Sequence, residues 1–139
     1  MNDIRLLVVD DEVHYLETLI KRLKKRKLDA DSTVSPIDAL AKIEREEFDV
    51  VVLDVKMPEM DGIEALGAIK KSKPLTEVII LTGHANLESA VKGMELGAFA
   101  YMIKPVDIDE LIYKIQDAYK KRVLEKQKRS AGTGNSAYI

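Results

Sequence analysis

The chain has 139 residues, 46% hydrophobic and 33% charged, which is the composition of one folded domain and excludes an intrinsically disordered chain. Lys plus Arg number 22 and Asp plus Glu 24, so the net charge of −2 gives no global pull toward nucleic acid or an anionic membrane. The absence of Cys excludes a disulfide framework, a thiolate metal site and a Cys nucleophile, and with no Trp and two Phe the core must be mostly aliphatic.

The first apolar run, residues 4–9, is broken by Arg5 and stopped by Asp10-Asp11-Glu12. It is too short for a signal segment, and no stretch approaches the ~20 apolar residues of a membrane span. The expectation is a soluble, cytoplasmic protein without a targeting segment. Val13, Leu16, Ile20 and Leu23 then share one helical face. A weaker run at 28–34 carries Asp29, Asp31 and Ser32, which suggests an edge strand. Ser35-Pro36 reads as an N-cap with Pro at the first helical position, ahead of Ile37, Leu40 and Ile43.

The run at 50–53 is followed by Asp61 and Glu64 in capping-box spacing, opening a helix that carries Ile63, Leu66 and Ile69. The run at 78–81 precedes a helix with Leu87, Val91 and Met94 on one face, closed by Gly97. The run at 99–103 precedes Asp107 and Glu110, again with cap spacing, and a helix bearing Ile108, Leu111, Ile112 and Ile115. That helix continues into a basic stretch at 120–129, which reads as a solvated helix end, not a nucleic-acid contact, because Glu125 interrupts it and no aromatics interleave. Residues 130–139 are small and polar and are expected to be disordered.

Strand followed by helix, five times over, predicts an α/β fold. Three of the strands are continuously apolar, which implies burial on both faces and hence a parallel sheet covered by helices. Right-handed crossovers make it an open, doubly wound five-stranded sheet with helices on both faces. In such sheets ligands bind at the carboxyl ends of the strands. Those ends carry Asp10-Asp11, Asp54, Thr82-Gly83 and Lys104-Pro105. Crowded carboxylates push one another toward protonation unless a cation joins them. Mg²⁺, which takes one or two carboxylates plus phosphate oxygens, is the expected cation. An acidic cluster with a metal and a lysine suits phosphoryl transfer, with one aspartate as nucleophile. The plain alternative for Asp11 or Glu12 is a cap on the first helix.

The runs Val8-Val9-Asp10-Asp11-Glu12, Val52-Leu53-Asp54-Val55-Lys56-Met57-Pro58-Glu59-Met60-Asp61-Gly62, Ile80-Leu81-Thr82-Gly83-His84 and Tyr101-Met102-Ile103-Lys104-Pro105 resemble the receiver domain of bacterial two-component response regulators. The resemblance covers about residues 3–122. Thr82-Gly83-His84 and Glu95-Leu96-Gly97-Ala98 further resemble receivers of the nitrogen-regulation (sigma-54 activator) type.

The resemblance implies a flavodoxin-like strand order 2-1-3-4-5, a receiver over residues 1–122, and a helix end, linker or disordered tail over 123–139. It makes Asp54 the phosphoacceptor. Asp11, Asp54 and the backbone carbonyl of Lys56 would bind Mg²⁺, with Asp10 on a metal-bound water. Lys104 would pair with a phosphoryl oxygen, and its bond to Pro105 is expected to be cis, aiming the ammonium into the site. Thr82 would hydrogen-bond the phosphoryl group, and Tyr101 would be the aromatic switch that follows it. Lys56 and His84 would tune the lifetime of the aspartyl phosphate. Met57 and Met60 are expected to pack the loop, and His14 to be solvated.

The implied partners are a sensor histidine kinase and an output domain or downstream protein, with homodimerisation on phosphorylation, no direct nucleic-acid contact by this domain and no membrane. The protein would be a signalling phosphoacceptor and no enzyme in the ordinary sense. The main alternative is an aspartyl-nucleophile phosphohydrolase of haloacid-dehalogenase type, which needs Asp-x-Asp after the first strand. A flavodoxin-like FMN carrier would need a hydroxyl-rich loop and stacking aromatics in the same place.

Overall fold

In the computed structural model the backbone is described over residues 3–135 and the side chains over 3–131. Ten elements alternate: β1 (Leu6–Val9), α1 (Val13–Lys25), β2 (Ala30–Thr33), α2 (Pro36–Arg45), β3 (Val50–Leu53), α3 (Gly62–Ser72), β4 (Glu77–Thr82), α4 (Leu87–Glu95), β5 (Ala100–Ile103) and α5 (Ile108–Asn135). The sheet order is β2-β1-β3-β4-β5 and every pairing is parallel. The doubly wound α/β expectation and its strand order hold.

The apolar strands are buried on both faces because side chains alternate across the pleat. Leu6, Val8, Val50, Val52, Ile79 and Leu81 pack with α1 and α5. Leu7, Val9, Val51, Leu53, Val78 and Ile80 pack with α2 and α3. The polar β2 is the edge strand beside β1, as its sequence suggested.

Local signals set most helix ends. Ser35 Oγ accepts the Asp38 N–H at 3.1 Å, with Pro36 at the first helical position. Asp61 Oδ1 accepts the Ile63 N–H at 2.8 Å. Asp107 Oδ1 accepts from the Asp109 and Glu110 N–H groups. Gly97, at φ +102°, follows the end of α4 in the left-handed conformation.

Helical spacing left the direction of the α4 face open, and two expectations are corrected. The Leu87–Val91–Met94 face of α4 points to solvent, at 81%, 48% and 49% exposure. The inward face is instead small: a Cβ at Gly93 would stand 3.5 Å from Ile63, so the helix packs through glycine. Periodicity reveals which residues share a face and not the direction of that face.

The basic stretch is not wholly solvated. Arg122 is 3% exposed and donates to Asp49 and Glu47, each at 2.7 Å, while Lys121 reaches the buried Glu77 at 2.9 Å. These pairs fasten α5 to the amino ends of β3 and β4, at the far end of the sheet from Asp54.

Finally, α5 continues through residues 130–135, where disorder was expected. Extending a formed helix carries no nucleation cost and no Pro interrupts it. Residues 136–139, the rest of that expectation, lie outside the described residues. Among the described residues no helix is long and apolar enough to cross a membrane.

Candidate functional site

Parallel register brings the strand ends level. Val9 stands opposite Leu53, Leu53 opposite Ile80, and Thr82 opposite Ile103. Backbone bonds carry this alignment one residue further. Asp54 N–H donates to the Val9 carbonyl at 3.1 Å, and Lys104 N–H to the Thr82 carbonyl at 2.9 Å. One side chain from each of four strand ends is thereby delivered to a common rim.

Asp10, Glu12 and Asp54 each present a carboxylate oxygen within 4.8 Å of the others. Lys104 stands among them, its Nζ 2.7 Å from Asp10 Oδ2, 3.0 Å from Glu12 Oε1 and 3.6 Å from Asp54 Oδ2. The Tyr15 ring supports the ammonium from α1, its centroid 4.1 Å away, as a cation–π contact. The Lys104–Pro105 bond is cis.

Burial raises the Asp10 carboxyl above its ordinary range, opposed by Lys104 and by the Glu12 N–H, and the Asp54 charge adds to the rise. Burial alone would lower Lys104. Its hydrogen bonds to Asp10 and Glu12, with the charges of Asp10 and Asp54, outweigh that and hold the ammonium above the ordinary lysine range. Lys104 is therefore a fixed positive charge throughout the neutral range.

Asp54 is 2% exposed. Its Oδ1 accepts the Val55 N–H at 2.7 Å. Its Oδ2 has no hydrogen-bond partner among the described residues, although it is buried. A buried carboxylate oxygen left this way costs stability and asks for a partner from outside the chain. A hard divalent cation fits that oxygen and its acidic neighbours by donor chemistry.

The other predicted site residues fall around this cluster. Thr82 is fully buried at the end of β4, and its Oγ1 accepts the His84 N–H at 3.0 Å. The half-buried Tyr101 has its hydroxyl 2.6 Å from Ser89 Oγ on α4. Ser89 Oγ–H donates to the Asn86 carbonyl at 3.1 Å, so the phenol is the donor in the pair. Asp11 stands outside the converging trio. It lines a shallow cleft with Glu12, Lys56, Met57, Pro58 and His84. The side chains of Lys56 and His84 are exposed, as is His14. Met57 is buried and Met60 packs against the α2–α3 core, as loop-packing residues should.

Two glycines differ in what they must do. A Cβ on Gly62 would collide with the Asp54 carbonyl and lie 2.7 Å from the Val55 Cα, and the Gly62 N–H donates to the Val55 carbonyl at 2.6 Å. Only glycine lets α3 start against the backbone that carries Asp54. A Cβ on Gly83 would meet Lys104 at 3.7 Å, an ordinary contact, so packing does not demand glycine there.

Sequence reasoning missed Glu12, Tyr15 and Ser89. Glu12 was in view as a helix cap, and the structure corrects that role. Glu12 occupies the N-cap position of α1 without a side-chain cap bond, its N–H is held by Asp10 Oδ1 at 2.9 Å, and its carboxylate goes to Lys104. Tyr15 and Ser89 carried no sequence signal, since their roles depend on tertiary contact with β5 and the residue after it.

The response regulator receiver domain family matches residues 6–116 of this chain. Transcriptional regulatory protein ZraR of Salmonella typhimurium is 38% identical over 115 residues, 83% of this chain and 26% of that protein. Regulatory protein AtoC of Escherichia coli is 36% identical over 125 residues, 90% of this chain and 27% of that protein. The chain thus spans about a quarter of these curated relatives. Among solved structures, a CheY-like receiver domain protein from Methanospirillum hungatei superposes with a TM-score of 0.84 at 34% identity, covering 88% of this chain and 98% of that one. The beryllofluoride-activated NtrC4 receiver domain dimer gives 0.80 at 34% identity, covering 88% and 99%. The phosphohydrolase alternative is set aside: the matches are to receivers, and the rim carboxylate with an unpartnered buried oxygen, Asp54, follows β3 and not β1.

Proposed function

This chain belongs to the response regulator receiver domain family, and from that premise we propose that Asp54 accepts a phosphoryl group from a sensor histidine kinase. The observation that carries the assignment is the buried, unpartnered Oδ2 of Asp54 beside a lysine. A carboxylate oxygen free of protein donors is free to attack phosphorus. The new bond joins Asp54 to phosphorus, the bond from phosphorus to the donor histidine breaks, and the imidazole nitrogen keeps the electron pair.

Mg²⁺ held by Asp11, Asp54 and the Lys56 carbonyl, with Asp10 through a water, would offset charge on the transferring group. The chain's own residues do the remainder. Lys104 supplies a fixed cation to the phosphoryl oxygens, and Thr82 turns its hydroxyl to one of them. Tyr101 then leaves Ser89 and turns into the space behind Thr82. The face of α4, β5 and α5 changes with it, a two-state element biased by a local change of charge.

That face already exposes Leu87, Val91, Met94 and Ile103. Such a patch suits a second copy of the domain or an output domain, and the beryllofluoride-activated NtrC4 receiver is described as a dimer. In this reading residues 1–122 are the receiver and 123–139 lead toward the output, which is transcriptional and of the sigma-54 activator type. Support for a transcriptional output comes from relatives named as transcriptional regulators and about three times as long. The kinase and the cytoplasmic setting go with the same assignment.

The test is labelling by a small phosphodonor. Wild type should take up hydroxylamine-labile phosphate and Asp54→Asn should take up none. Undiminished labelling of the variant would remove Asp54 from its role.

A further inference from the structure

Lys104 has three acidic neighbours and engages them unequally. It hydrogen-bonds Asp10 and Glu12 at 2.7 and 3.0 Å and stands off from Asp54 at 3.6 Å. Two of its three N–H donors are therefore occupied away from the acceptor. The consequence is visible on Asp54, whose Oδ2 goes without a hydrogen bond although a cation is in the same pocket.

Glu12 is built for this contact. Its backbone N–H is pinned by Asp10 Oδ1 at 2.9 Å, which fixes the stem of the side chain, and the helix cap it could have made is not made. The Glu12 side chain is 56% exposed, whereas that of Asp10 is 4% exposed. Of the two bonds holding Lys104, the one to Glu12 can open into water at little cost.

We propose that Glu12 is a positioning residue: with Asp10 it holds Lys104 off Asp54 in the unphosphorylated protein, and it releases the ammonium when a phosphoryl group offers competing oxygens. Glu12 thus sets how readily Lys104 crosses to the phosphoryl group. The proposal rests on Asp54 being the phosphoacceptor.

Beryllofluoride, a phosphoryl mimic, separates the two claims. At saturating Mg²⁺ the full chain is titrated as wild type, Glu12→Gln and Glu59→Gln; Glu59 is an exposed acid of the 54–61 loop and serves as a charge control. Removing the competitor should tighten binding in Glu12→Gln by about two- to five-fold, the range of an ion pair with one exposed member. Glu59→Gln should match wild type. The ¹⁵N signal of the Lys104 ammonium should move in resting Glu12→Gln yet coincide with wild type once beryllofluoride is bound. A packing role for Glu12 would displace both signals. Unchanged or weaker binding by Glu12→Gln, equal tightening by Glu59→Gln, or an unmoved resting Lys104 signal would each overturn the proposal. Failure of wild type to bind beryllofluoride at all would instead sink the phosphoacceptor assignment on which it stands.

Discussion

Asp54 and Gly62 are eight residues apart and in contact, and that contact shows what single residues contribute here. Gly62 has no side chain to place, yet a methyl group there would strike the backbone of Asp54. Gly62→Ala should destabilise the fold by about 1–3 kcal/mol, the range for overpacking, read as a lower urea midpoint at unchanged slope. A midpoint equal to wild type would mean that α3 can shift away from β3 freely. Lys56 and His84 act at the same scale. Both are exposed and share one cleft at the rim. On the proposed reading, side chains there would cover a phosphoryl group on Asp54 and impede an in-line water. The Lys56→Ala/His84→Ala double variant should therefore lose its phosphoryl group several-fold faster, on the order of 1 kcal/mol in barrier, measured by decay of labelled protein. An unchanged decay rate would count against them. The acids, the threonine and the lysine were legible in the sequence because each closes an apolar run. Glu12 was misjudged because a carboxylate ahead of a helix looks like a cap until its partner on another strand is seen.

At the scale of elements, α4 holds Tyr101, the residue proposed to switch, in its present place. The Tyr101 hydroxyl donates to Ser89, in the first turn of the helix. A neutral hydrogen bond contributes about 0.5–1.5 kcal/mol, so its loss should shift the resting equilibrium about two- to ten-fold toward the inward ring. With fluorotyrosine at position 101, Ser89→Ala should move the resting fluorine signal toward its phosphorylated position. A signal identical to wild type would show that the bond does not restrain the ring. This tether was invisible in the sequence, as was the outward direction of Leu87, Val91 and Met94. Helical spacing groups residues by face, and only the small Gly93 on the opposite side decides which face can approach the sheet. The continuously apolar strands and the Ser35-Pro36 and Asp61 caps were legible because their signals are local.

Across the whole molecule the sheet has two chemically different ends. The carboxyl end gathers Asp10, Glu12, Asp54 and Lys104. The amino end gathers Glu47, Asp49, Glu77, Lys121 and Arg122, which tie α5 to the sheet. This second network was not read from the sequence, because Arg122 lies in a run of charges that resembles a solvated helix end and its burial depends on where α5 crosses β3 and β4. Its pH signature follows from Glu47. The hydrogen bond from Arg122 holds the Glu47 carboxyl below its ordinary value of 4.5, against a smaller effect of burial. A lowered native value gives stability that is present above 4.5 and lost as pH falls through the native value. The urea midpoint should therefore fall more steeply below 4.5 in wild type than in Glu47→Gln. Equal slopes would place the acid sensitivity elsewhere.

Both ends serve one arrangement, in which aligned strands bring Asp54, the proposed acceptor, and Lys104 to a shared rim. Intact-mass spectrometry after incubation with acetyl phosphate, with and without Mg²⁺, tests that most directly. The expected result is a gain of one phosphoryl group that requires Mg²⁺ and maps to the peptide containing Asp54. An unchanged mass, or a phosphoryl group on a residue away from the rim, would contradict it.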